Sequence, residues 1–253
     1  MNFFIVLRKE LTEQWRTKRL LIVAAVLVVF GLGSPLLAKV TPDILRSVPN
    51  LPSGLADIIP EPTLTDAVAQ YVKNMSQFGI LLAVLMSMGA VAQEKERGTA
   101  ALMLTHPVGH ASFLLAKFTA LALTFALSLV IAALGCWYYT HLLFEALPWG
   151  GYLALNGLML LVFLAYIAVT IFFSTLARSQ GAAAGMAFAG LVLVAGIGSL
   201  PRLNEYFPGA LFGWGTSLVL GVEVSARAAL WGSLGLIVVS LFAAWLVFRR
   251  QEV

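Results

Sequence analysis

Charge is scarce in this sequence. Asp, Glu, Lys and Arg make up 11% of the 253 residues, while 60% are hydrophobic. A soluble domain carries roughly 25% charged residues. Mean hydropathy is +0.92. Too few polar side chains exist to cover a water-facing surface, and the long apolar runs require lipid as their solvent. The net charge of +4 fits Lys and Arg gathered on the cytoplasmic side of a membrane, and no nucleic-acid partner is expected. Cysteine is limited to Cys136, inside an apolar run, so no intramolecular disulfide can form. There is no G-x-x-x-x-G-K-[ST] run, so the chain has no phosphate-cradling loop. Any ATP that drives it is held by another polypeptide. No resident cofactor or metal is expected. His106 and His110 are four apart, but Pro107 and Gly109 lie between them and spoil the helical geometry a ligand pair needs.

A further absence concerns the apolar runs themselves. They offer Ser87, Ser128, Asn156, Thr170, Ser174 and Ser240, but no His, Asp or Glu at mid-membrane. An intramembrane enzyme needs a nucleophile with a base, and an ion-coupled carrier usually places a carboxylate at depth. Both readings are weakened. An apolar or amphipathic cargo (a lipid, peptide or drug) is favoured, although a dimer interface can also build a polar path from Ser, Thr, Asn and backbone.

What is present is six runs long enough to cross a bilayer, which takes roughly 20 apolar residues each. They lie near Leu20–Ala38, Gln77–Gln93, Phe113–Trp137, Tyr152–Leu176, Gly181–Leu200 and Ala228–Phe248. The expected fold is an all-α membrane protein, one transmembrane domain over residues 1–253. Arg8, Lys9, Arg16, Lys18 and Arg19 precede the first run and no A-x-A site follows, so that run is expected to remain as a span. The only ionisable residue in the spans is Lys117, near an end, where snorkelling is expected. One side collects Arg8, Lys9, Arg16, Lys18, Arg19, Lys95, Arg97, Lys117, Arg178, Arg249 and Arg250; the other has Lys39, Arg46, Lys73, Arg202 and Arg227. The positive-inside rule then predicts both termini in the cytoplasm of a cell-membrane protein.

Flanking segments add detail. Residues 2–19 place Phe4, Leu7, Leu11 and Trp15 at helical spacing among charged residues, predicting an amphipathic helix in the lipid interface. Residues 39–64 contain five prolines and are expected to be irregular. From Thr65 the chain reads as one long helix. The apolar piece "YFPGALFGWGTSLVLG" is too short to pass twice, and predicts either a re-entrant element or a surface loop. "GAAAGMAFAG" permits close helix approach, as internal packing or as a dimer seam.

The run "AVAQEKERGTAALMLTHPV", Ala90–Val108, gathers Glu94, Lys95, Glu96 and Arg97. Each such charge at the bilayer centre costs about 2.5–3.5 kcal/mol, so the cluster is expected where the second helix emerges. Gly98 suits a reversal and Thr99 an N-cap for a short helix "AALMLTH". The reading is a charged peg for a cytoplasmic partner.

The run Glu94–Phe118 resembles the cytoplasmic loop of type-2 ABC (ATP-binding cassette) exporter permeases, the ABC-2 type transporter transmembrane subunits. Glu94, Glu96, Gly98, Thr99, Leu102, Leu104, Pro107, Val108 and Lys117 fit that family's pattern. Ala100-Ala101 stands where the family often has Leu-Glu, and Gly109-His110 where it often has Ser-Arg. The resemblance implies a permease subunit of an ATP-driven exporter. Two permeases, identical or related, would pair above two ABC ATPase subunits, which hold the ATP and Mg. Glu94, Lys95, Glu96, Arg97, Gly98 and Thr99 would couple to the ATPase through a short coupling helix. Phe4, Leu7, Leu11 and Trp15 would seat the N-terminal helix on membrane lipid. An intramembrane enzyme and a non-transport scaffold or sensor are the alternatives from other classes.

Overall fold

The computed structural model describes residues 3–47, 60–98 and 109–251. Among them every regular element is helical. In chain order these are α1 (Phe3–Arg16), α2 (Arg19–Arg46), α3 (Leu64–Asn74), a π turn (Met75–Gly79), α4 (Ile80–Ser87), α5 (Ala92–Glu96), α6 (His110–Leu143), α7 (Trp149–Leu176), α8 (Gln180–Gly198), a 3-10 turn (Asn204–Tyr206), α9 (Ala210–Leu220) and α10 (Arg227–Phe248). Six helical stretches are long and apolar enough to cross a membrane: α2, Leu64–Glu96 taken together, α6, α7, α8 and α10.

The core is built around α7. Its most apolar stretch is 61% buried, against 17% for α8 and for α10. Leu155, Met159, Phe163, Ile167 and Ile171 of α7 are fully buried. Helices α4, α6, α8, α9 and α10 pack on it, while α2 packs on α6 and α3, and α1 lies against α6.

Two expectations about the second half of α2 and the helix after it change. Residues 39–46 are helical and not irregular, although Pro35 and Pro42 lie inside α2. A proline removes one i→i−4 bond, and the neighbouring turns of α2 carry the helix across it. The residue ahead of each proline adds a bond to its own preceding turn: Ser34 donates to the Phe30 carbonyl at 2.5 Å and Thr41 to the Leu37 carbonyl at 2.6 Å. The long helix from Thr65 is also not continuous. It begins at a Thr63–Asp66 cap, where the Asp66 carboxylate accepts from the Thr63 backbone and hydroxyl. It carries the π turn, then breaks over 88–91 before α5. The Ser174 hydroxyl of α7 accepts the Val91 and Ala92 N–H groups, both at 3.0 Å, so the new start is capped from a neighbouring helix.

The apolar piece before the last span is a helix, α9. Its 11 residues give about 16 Å at 1.5 Å per residue, half the hydrocarbon thickness. It lies against the first turns of α7, where a Cβ on Gly151 would fall 2.2 Å from the Leu218 carbonyl oxygen. Only glycine permits that approach.

Polar groups inside the bundle pair with one another. Tyr71 donates to Asn156 at 2.7 Å, Tyr152 donates to the Ala133 carbonyl at 2.8 Å, and Asn74 donates to Ser34 at 2.9 Å. These bonds tie α3 to α7, α7 to α6, and α3 to α2.

Candidate functional site

Three of the four adjacent charges, Glu94, Lys95 and Glu96, sit on α5 and Arg97 caps its end; successive helical residues point about 100° apart. The geometry sends each of the three to a different neighbour. Glu94 turns into the bundle, where it accepts from Lys117 at 2.7 Å and from Lys9 at 2.9 Å. Lys117 also holds both carboxylate oxygens of Glu10, at 3.0 and 3.1 Å. Lys9 reaches Glu10 at 3.0 Å and Glu13 at 3.3 Å. Lys117, Glu10 and Glu94 are only 4%, 7% and 9% exposed. One ionic cluster therefore joins α1, α5 and α6. Burial by itself would push the Lys9 ammonium down, but the Glu10 and Glu94 carboxylates outweigh it and raise its pKa above the ordinary lysine value.

Lys117 thus departs from the snorkelling expectation. Its Nζ is turned inward, 4.9 Å from the Phe113 ring, because two carboxylates wait there. A buried ammonium is tolerable only when paired and hydrogen-bonded.

Lys95 points to another side. Its ammonium donates to the Thr175 carbonyl in the last turn of α7 and to the Gln251 side chain beyond α10. Gln251 donates to the same carbonyl at 3.2 Å. A cation suits a helix C-terminus, whose carbonyls are unpaired and carry partial negative charge. Glu96 does the converse, accepting the Gln180 N–H at 2.9 Å in the first turn of α8. The elbow therefore straddles the α7–α8 turn with the sign of charge each helix end favours. Just before these residues, Gln93 accepts from Arg19 of α2 at 3.0 Å. Arg97 is exposed. Gly98 adopts a left-handed φ of 69°, and this reversal is open to glycine at no steric cost. Thr99 and the expected short helix lie outside the described residues, as does His106.

The solvated peg of alternating charge is therefore revised. Glu94 is buried, Lys95 is half-buried, and only Glu96 and Arg97 of the four are exposed. Hydropathy places such charges at a span's end, but it cannot tell that other helices close around that end.

Helix α1 turns a largely polar side to the bundle. The buried residues are Val6, Glu10 and Gln14, and the Thr124 hydroxyl of α6 donates to Gln14. Phe4 and Trp15 point away from the chain, 74% and 63% exposed, while Leu7 and Leu11 are half-buried. Glu10, Gln14, Thr175 and Gln251 were not singled out by the sequence, while Lys9, Lys117 and Ser174 were noted without their roles in this cluster. Lys117, a charge inside an otherwise uncharged span, was the one available signal. Both described ends of the chain meet at this face of the bundle, since α1 binds Glu94 and Gln251 binds Lys95.

Comparison with known proteins points the same way. The sequence profile of the family described as "ABC-2 family transporter protein" matches residues 4–253. The chain is similar to the "Uncharacterized transmembrane protein YxlG" of Bacillus subtilis (strain 168). Identity is 26% over 255 residues, which covers 98% of this chain and 97% of that protein.

Proposed function

The chain belongs to the ABC-2 transporter family, and from that premise we propose that it is the permease subunit of an ATP-driven exporter. Two permeases pair to form the cargo path across the cell membrane, and two separate ABC ATPase subunits dock at the α5 face. That face is cytoplasmic, as are both termini. ATP and Mg are bound and used by the ATPase, and the permease supplies no catalytic group.

One observation carries this reading. Five consecutive residues of a one-turn helix engage α1, α2, α6, α7, α8 and the C-terminal end, next in sequence to a run that resembles the cytoplasmic loop of such permeases. Force applied to residues 99–108 during ATP-driven closure would pass to α5 and α6, which flank them in sequence. The buried pairs of Glu94 hold α5 to α1 and α6, and Lys95 and Glu96 hold it to the α7–α8 turn. Exposed ion pairs contribute little binding, so Arg97 sets register and partner choice. Phe4 and Trp15 of α1, turned outward, rest in membrane lipid.

The test is gentle detergent purification of the tagged chain from its native host. An ATP-binding subunit should co-purify in a two-to-two ratio, and its hydrolysis should respond to changes at Lys95 and Glu96. Labelling of an Arg97→Cys variant by a membrane-impermeant maleimide should require opened cells. Labelling from outside, or activity of the chain without any ATPase, would overturn the reading. An associated ATPase indifferent to those changes and to every cargo would favour a scaffold or sensor.

A further inference from the structure

Helices α6 and α7 are joined by a short turn and run antiparallel, yet they leave an open groove between them at the end opposite α5. Its volume is about 220 Å³. Val130 and Leu134 of α6 and Leu153, Gly157 and Leu160 of α7 line it, with Trp149 at the rim. We propose that this groove holds one acyl chain of a membrane phospholipid as a fixed ligand.

Four observations fit that occupant. The lining has no Asp, Glu, Lys, Arg or His, so the groove is complementary to a neutral chain. Its two polar lining residues are already engaged, Tyr152 with the Ala133 carbonyl and Asn156 with Tyr71 and the Tyr152 carbonyl. The groove is also continuous with the bilayer-facing surface, since Val130, Leu134 and Leu153 are exposed large apolar residues on its edges. Finally, an aromatic stack marks its outer end. Trp149 stacks on Trp137 at 4.5 Å and Trp137 on His141 at 5.7 Å, the kind of amphipathic ring cluster that sits at headgroup level. A lipid anchored there would direct its chain inward along the groove.

The groove is smaller than the pockets of about 300–1,000 Å³ that drug-sized ligands take, and narrower than a helix of a second copy, about 10–12 Å across with its side chains. Being open, it takes part of one thin acyl chain, the remainder lying along the bilayer-facing surface. Gly157 keeps it open: the residue is exposed, and a Cβ placed there would meet nothing within 4 Å.

The experiment uses the full chain reconstituted in phosphatidylethanolamine–phosphatidylglycerol vesicles doped with a phospholipid carrying an acyl-chain diazirine. After illumination, adducts are mapped by peptide mass spectrometry. Labelling at Leu134, Leu153 and Leu160 should exceed, several-fold, that at Val238 and Phe242, which are exposed on α10. Gly157→Leu should reduce groove labelling to the α10 level and leave α10 labelling unchanged. Gly157→Ala, the milder change, should give an intermediate loss. Equal labelling of groove and α10 in the wild type would show annular lipid only and overturn the proposal. So would groove labelling that ignores both variants, or cross-links from the groove to a second copy of the chain.

Discussion

The two ends of the bundle are held together by different chemistry. At the α5 end, charged side chains do the fastening: Lys117 and Lys9 are shared among Glu10, Glu13 and Glu94. At the opposite end the fastening is neutral. It consists of the Tyr71–Asn156 and Tyr152–Ala133 hydrogen bonds, the Trp137–Trp149 stack, and the close crossing of α9 over Gly151. Neutral contacts are each small and spread over many atoms, so they yield gradually. Buried ions are few and interdependent, and losing one strands its partners. Under the proposed function the α5 end receives the force from the ATPase, and links so few and interdependent would hold or break as a set.

The comparison can be broken by substitution. The largest effect is expected for Lys117→Met. It leaves Glu10 and Glu94 facing each other with only the half-exposed Lys9 ammonium between them, and should cost about 3 kcal/mol, the lower end of the range for breaking a buried pair. Thermal unfolding in detergent reads this as a marked fall in midpoint, with Lys117→Arg falling less. An unchanged midpoint for Lys117→Met would mean that the ionic end is not a structural fastening at all.

At the neutral end, Asn156→Ala removes the acceptor for Tyr71 and should cost about 1–2 kcal/mol, near the upper range for polar pairs between membrane helices. The same unfolding assay checks it. A loss as large as that of Lys117→Met would erase the contrast between the two ends.

Lys95→Met removes a cation from the α7 C-terminus, and a cost of about 0.3–1 kcal/mol is expected for such an end charge. ATP-dependent export should nevertheless fall by much more than stability does. Export measured in vesicles beside the unfolding midpoint separates the two. The smallest structural effect belongs to Arg97→Ala, an exposed residue whose side chain has no partner among the described residues. Its unfolding midpoint should not move, while the yield of co-purified ATPase should drop.

Legibility in the sequence followed the same divide. Six spans, a helix before the first of them and a break at Gly98 are set by local rules: apolar run length, helical spacing and the left-handed preference of glycine. The short apolar piece containing Pro208, Gly209, Gly213 and Gly215 was readable as something other than a full span. The prolines of α2 misled, because each removes a single i→i−4 bond and a 28-residue helix retains the rest. The apolar stripe of α1 was read as facing lipid; that Glu10 and Gln14 face the bundle was not legible, because their partners lie on distant helices.

Membrane residence, the number of crossings and the family pattern were therefore determined by the sequence alone, because each depends on residues close together along the chain and on the solvent they prefer. The identity of the partners of Glu94, Lys95 and Glu96 was decided only in three dimensions. Those partners lie 23 and 85 residues from Glu94, 80 and 156 from Lys95, and 84 from Glu96. A charge carries no local mark of its distant counterion; packing α1, α6, α7 and α8 around one short helix supplies it.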